Sequence, residues 1–132
     1  MKSWTHCCFC GQQCGINLKV KDNRVIGFEP REDFPFNRGK LCPKGVKRYM
    51  QNDHPDRLLH PLRRSTDGFR QISWEEALDA AAAGLAPARD LDTSKSFGMF
   101  SCSKASNEMN YLAGKFTRQV MGSNNVDSCN RT

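Results

Sequence analysis

The spacing Cys7-x2-Cys10-x3-Cys14, followed after 27 residues by Cys42, constrains this chain more than any other feature. Three thiols within eight residues can reach three corners of one cubane only if the chain wraps around it, and a distant fourth ties a second segment to the first. The pattern reads as a [4Fe-4S] site with Cys7, Cys10, Cys14 and Cys42 as ligands. The competing reading is a structural zinc site, which usually draws two ligands from each of two knuckles; three plus one departs from that. Seven cysteines are an odd number, so metal ligation explains them better than a secreted disulfide framework. Cys8, between two ligands, reads as a bystander thiol, Cys102 as core filling, and Cys129 has no local partner.

Lys44 follows Cys42 by two residues and stays near the fourth corner. It is either plain surface charge or a donor to an anionic or carbonyl-bearing cofactor beside the cluster, on an electron path. His6, His54 and His60 are isolated and read as loop or surface residues. The formal charge is +6, with basic residues dense from Arg38 to Arg70. Net charge alone points weakly to nucleic acid, and no nucleic-acid partner is expected. Clusters and pyrophosphate-bearing cofactors are anionic, so cations near them stabilise both. No apolar run approaches the roughly 20 residues of a membrane span. The first residues lack a signal peptide's apolar stretch and a twin-arginine leader. The expected protein is soluble and cytoplasmic.

The fold class expected is α+β: a small β-hairpin-containing [4Fe-4S] domain over residues 1–65, then the start of an α/β domain over 66–132. Ile16–Lys21 alternates, Asp22-Asn23 turns, and Arg24–Glu29 returns, a hairpin that carries Cys42 back toward the other thiols. The rest of the first domain is expected to have little regular structure. Pro55 and Pro61 suggest a linker and Asp67-Gly68 a turn. Ser73-x-x-Glu76 is a capping box for a helix from 74 to about 86, with Trp74, Ala77, Leu78, Ala81 and Leu85 at helical spacing. Ser96–Cys102 reads as a buried strand, and Met109, Leu112, Ala113, Phe116 and Val120 as the apolar stripe of a second helix ended by Gly122. The tail after Gly122 is expected to run out without a strand, leaving an α/β domain incomplete.

Thr5-His-Cys-Cys-Phe-Cys-Gly-Gln-Gln-Cys-Gly15, Asn37-Arg-Gly-Lys-Leu-Cys-Pro-Lys-Gly45, Pro55-Asp-Arg-Leu, Ile72-Ser-Trp-Glu-Glu-Ala-Leu78 and Asn107-Glu-x-Asn-Tyr together resemble the N-terminal region of a molybdopterin oxidoreductase catalytic subunit. The resemblance covers essentially the whole chain. It implies a [4Fe-4S] domain that passes electrons between a partner (an iron-sulfur or flavin subunit, or a ferredoxin) and a bis-molybdopterin guanine dinucleotide cofactor carrying Mo or W. It also implies that Lys44 lies between cluster and pterin. Within the family, Gly122-Ser-Asn-Asn-Val-Asp-Ser-Cys-Asn-Arg-Thr132 is most similar to formate dehydrogenases, where the segment leads to a cysteine or selenocysteine metal ligand and a histidine. The expectation is a formate dehydrogenase region that stops one residue before that ligand, at a UGA selenocysteine codon, and is catalytically silent alone. The alternatives are a molybdopterin nitrate reductase and, from another class, a zinc-binding nucleic-acid module.

Overall fold

The computed structural model describes residues 2–51, 54–91 and 93–128, so Cys129 and the last residues of the tail lie outside it. The chain divides into two compact units, one of residues 1–57, 100–113 and 128–132, the other of residues 58–99 and 114–127. Helices and small sheets are both present, as an α+β fold requires.

The first unit is built on a three-stranded antiparallel sheet of β1 (Lys2–His6), β2 (Gly15–Lys21) and β3 (Arg24–Pro30), in that order. The expected hairpin is β2–β3, and Lys21 faces Arg24 across its turn. Asp22 and Asn23 both take positive φ, 49° and 58°. This is the I′ geometry whose twist matches paired strands, and Asp and Asn tolerate the left-handed region better than most residues. β1 is a strand that the sequence reading lacks. It pairs with β2 from Lys2↔Lys19 to His6↔Gly15, so Cys7 to Cys14 form the loop of a second hairpin. Cys7 (6% exposed) and Ile16 are buried here, and Phe28 tilts against Tyr49 with ring centroids 6.5 Å apart. The unit is more regular than expected, since Cys42 also caps a short helix, α1 (Pro43–Lys47), that runs into a 3-10 turn at Arg48–Gln51. Proline in the first turn has no N–H to leave unpaired there.

Past the linker-like stretch of Pro55 and Pro61, the second unit holds a hairpin that was not expected: β4 (Leu62–Ser65) and β5 (Gly68–Gln71), with Arg64 facing Phe69. Helix α2 (Trp74–Arg89) starts at the expected residue, and the Ser73 hydroxyl accepts from the Glu76 N–H at 3.0 Å. The Glu76 carboxylate does not complete the box; it receives Arg63 (2.9 Å) and Arg70 (3.0 Å) from the hairpin. The helix also runs past its expected end, carrying Pro87 in its last turn. Leu85 is half-buried, whereas Trp74 and Leu78 of the same stripe are exposed.

The strand expected over Ser96–Cys102 shrinks to β6 (Met99–Ser101), because Ser96 closes a one-turn helix, α3 (Thr93–Ser96). It is not buried, Phe100 being 86% exposed. Nor is the tail without a strand: β7 (Val126–Ser128) pairs with β6. Helix α4 (Asn107–Lys115) widens into a π turn over Phe116–Val120, closed by the Met121 N–H on the Phe116 carbonyl at 3.1 Å. Gly122 ends it with φ 66°. The buried side is Gly114, Thr117 and Met121, not the expected stripe, of which Met109, Leu112 and Val120 are exposed. A polar residue decides the phase: Thr117 is fully buried in the second unit, and the Phe97 and Phe116 rings meet edge to face at 6.1 Å.

Candidate metal centre

The β1–β2 register sets the neck of the cysteine loop. His6 faces Gly15, and just beyond them the Cys7 N–H donates to the Cys14 carbonyl at 2.7 Å. The Gln13 N–H returns to the Cys10 carbonyl at 3.1 Å, with Gln13 held at φ 47°. The loop is thus turned twice within its length, which spreads Cys7, Cys10 and Cys14 around a bend.

Cys42 reaches the same place by a separate route. Its segment is joined to the loop through Asn37, which is buried. The Asn37 Oδ1 accepts from the Gly15 N–H at 2.8 Å, while its Nδ2 donates to the Gly15 carbonyl at 3.2 Å and to the Lys40 carbonyl at 2.9 Å. One side-chain amide therefore satisfies both backbone groups of the residue after Cys14 and one from the stretch before Cys42. Gly15 has no room for anything larger: a Cβ there would lie 2.3 Å from the Phe34 ring. Arg38 and Gly39 follow Asn37 with φ of 44° and 77°, the left-handed pair that reverses the chain.

The four thiols are near enough to feel one another. Burial pushes the Cys7 thiol up, the Phe9 N–H pulls it partly back, and charge on Cys8, Cys10 and Cys14 raises it further. Cys14 is raised by burial and then by Cys10 and Cys42. Cys42 moves the other way, because the Gly45 N–H donates to its Sγ at 3.4 Å and the Lys44 N–H and ammonium add to the effect. Gly45 stands between the two segments: a Cβ on it would lie 3.4 Å from the Cys7 Sγ and 3.9 Å from the Cys42 Sγ. Among the described residues no disulfide forms, and no three His, Cys, Asp or Glu side chains converge as a single ion would need.

Lys44 is exposed, with its ammonium 5.7 Å from the centre of the Phe9 ring. It lines a hollow of about 310 Å³ together with Phe9, Lys47 and Arg48. The buried Nε of Arg48 has no acceptor among the described residues. Thiolate donors, a helix start that stabilises an anion, and an orphan cationic donor fit an anionic sulfur-ligated group. Cys8 is exposed. Cys102, expected in the core, is instead half-buried and its Sγ accepts from the Lys104 N–H at 3.3 Å. Sequence reading assigned no role to Asn37 or Gln13, although both stand inside quoted motifs. Their signal was a polar side chain beside each cysteine segment.

A thiol-rich loop at a hairpin neck, tied to a second cysteine segment through Asn37, is an arrangement suited to a sulfur-ligated group. Residues 1–54 match the molybdopterin oxidoreductase Fe4S4 domain, and residues 57–132 match the molybdopterin oxidoreductase domain. The chain belongs to the molybdopterin oxidoreductase family, whose parent proteins take a [4Fe-4S] cluster and a molybdopterin cofactor. It is 41% identical over 127 residues to the F420-dependent formate dehydrogenase subunit alpha of Methanocaldococcus jannaschii, covering 96% of this chain and 18% of that protein. It is 39% identical over 127 residues to the F420-dependent formate dehydrogenase 2 subunit alpha of Methanococcus maripaludis, with the same coverage of 96% and 18%. A putative formate dehydrogenase of Staphylococcus aureus is 35% identical over 130 residues, 98% of this chain and 13% of that protein. The chain spans less than a fifth of the length of these curated relatives. Among the described residues no helix is long and apolar enough to cross a membrane.

Proposed function

We propose that this chain is the electron-transfer region of a formate dehydrogenase, with Cys7, Cys10, Cys14 and Cys42 holding a [4Fe-4S] cluster. The observation that carries it is the Asn37 clamp, which ties Gly15, the residue after Cys14, to the stretch just before Cys42. The names of the matched relatives support formate as the substrate of the whole protein. The cluster supplies one-electron storage and the Mo- or W-bearing bis-molybdopterin guanine dinucleotide the two-electron oxidation of formate to carbon dioxide. This chain's residues do the rest. The Gly45 and Lys44 amides and the Lys44 ammonium lower the pKa of the Cys42 thiol and would stabilise charge on its sulfur, and Lys44 would serve as the electron relay between that corner and the pterin. Residues 1–65 form the cluster-binding domain and 66–132 the opening of the molybdopterin-binding domain. The electron partner is an iron-sulfur or flavin subunit or a ferredoxin, and the compartment is the cytoplasm, where thiols stay reduced.

Anaerobic reconstitution with iron and sulfide tests the cluster. The expected product is brown, absorbs broadly near about 400 nm, and holds about four iron and four sulfide per chain, as such clusters do. A colourless chain that takes up zinc in place of iron contradicts the ligand assignment. The substrate is tested on the full-length protein with a dye acceptor: formate oxidation is expected, and nitrate reduction without formate oxidation would move the protein to the nitrate reductases.

A further inference from the structure

The motif Asn107-Glu-x-Asn-Tyr111 at the start of α4 has no part in ligation, yet it grips the cysteine loop. The Asn107 Nδ2 donates to the Gly11 carbonyl at 3.1 Å and to the Gln13 Oε1 at 2.5 Å. The Gly11 N–H donates to the Ser103 carbonyl at 3.3 Å, so both backbone groups of Gly11 are held from the segment that begins α4. The Gln13 Nε2 in turn reaches both Glu108 carboxylate oxygens, at 3.1 and 3.2 Å, and stands 3.1 Å from the His6 Nε2. A Cβ on Gly11 would sit 2.8 Å from the Asn107 Oδ1, so a larger residue there would displace the Asn107 amide.

Resting on the cluster reading above, we infer that Asn107 and Glu108 are positioning residues that fix the Cys10–Cys14 arc through Gly11 and Gln13. A non-glycine residue at positive φ costs energy unless its surroundings over-determine it. Gln13, at 47°, has its amide engaged at both ends: oxygen by Asn107, nitrogen by Glu108. The side chain thereby holds the backbone in the bend that separates Cys10 from Cys14. Groups that orient metal ligands tune both affinity and potential. Fixing two sulfurs also limits how far they shift when the cluster changes charge. The brace keeps one cluster geometry and one potential, and without it the arc samples several.

The test compares wild type with N107A, Q13M and E108Q, each reconstituted anaerobically. Iron and sulfide content, loss of iron to a chelator, midpoint potential and the electron paramagnetic resonance of the reduced cluster are measured. N107A and Q13M are expected to assemble the cluster but to lose iron about tenfold faster, as broken outer-shell contacts typically do. Both should broaden the resonance and shift the potential. E108Q, which keeps an acceptor for Gln13, should retain the wild-type line shape. If N107A folds poorly by circular dichroism, Q13M decides, since it removes the bonds at constant shape. Wild-type iron retention, line shape and potential in Q13M overturn the inference. Wild-type chain that takes up no cluster at all overturns the ligand assignment instead, and the two failures are distinct.

Discussion

Cys42 and Cys7 are different thiols before any iron arrives. Cys42 is exposed and receives the Gly45 N–H, so its anion persists to lower pH; Cys7 is buried among other thiols, so its anion forms only at higher pH. Since the thiolate is the nucleophile, iodoacetamide should label Cys42 of the metal-free chain first and Cys7 last at about pH 8. The half-point of Cys42 labelling should fall below the ordinary thiol range and those of Cys7 and Cys14 above it. Equal rates followed by mass spectrometry would contradict this. Asn37 is the other decisive residue at this scale. N37A leaves the Gly15 N–H and the Gly15 and Lys40 carbonyls without their partner, and burial of the site makes that cost about 3 kcal/mol, read from the urea midpoint. The four-cysteine spacing is a property of the sequence and can be read without the fold. Asn37 was not, since its three bonds reach Gly15 and Lys40 only after the chain has folded back.

Elements with a local cause were the easiest to read. The α2 start follows from the Ser73 cap, and S73A should lower stability by about 1 kcal/mol with a matching loss of helical ellipticity. An unchanged thermal midpoint would show that the Arg63–Glu76–Arg70 contacts hold the helix start without the cap. The β2–β3 hairpin was readable from its alternation and its Asp22-Asn23 turn. The β4–β5 hairpin was hidden, because both strands are exposed along their whole length and show no inside-outside alternation. Its visible support is the Thr66-Asp67 turn and the Arg64 guanidinium 5.0 Å over the Phe69 ring. Helix α4 misleads differently: an apolar stripe marks a helix well enough, but Thr117 buries a polar side and turns Met109 and Leu112 outward.

At the scale of the molecule, α2 and α4 carry apolar faces that the described residues do not cover: Trp74 and Leu78 are 67% and 63% exposed, Met109 and Leu112 60% and 55%. Large exposed apolar residues of this kind are surface that a partner or further chain can cover. The 132-residue chain should therefore bind the dye ANS strongly, and a polypeptide of the relatives' full length should bind much less per mole, as fluorescence titration would show. Comparable binding by both would mean that these faces stay open in the family. The Asn37 clamp has a consequence for how such a protein matures. The 27 residues between Cys14 and Cys42 are brought end to end by amide hydrogen bonds, so the entropy of closing that loop falls on the polypeptide and not on iron. On the proposed reading, cluster assembly would then demand less ordering of the chain than four thiols on an open loop of that length would.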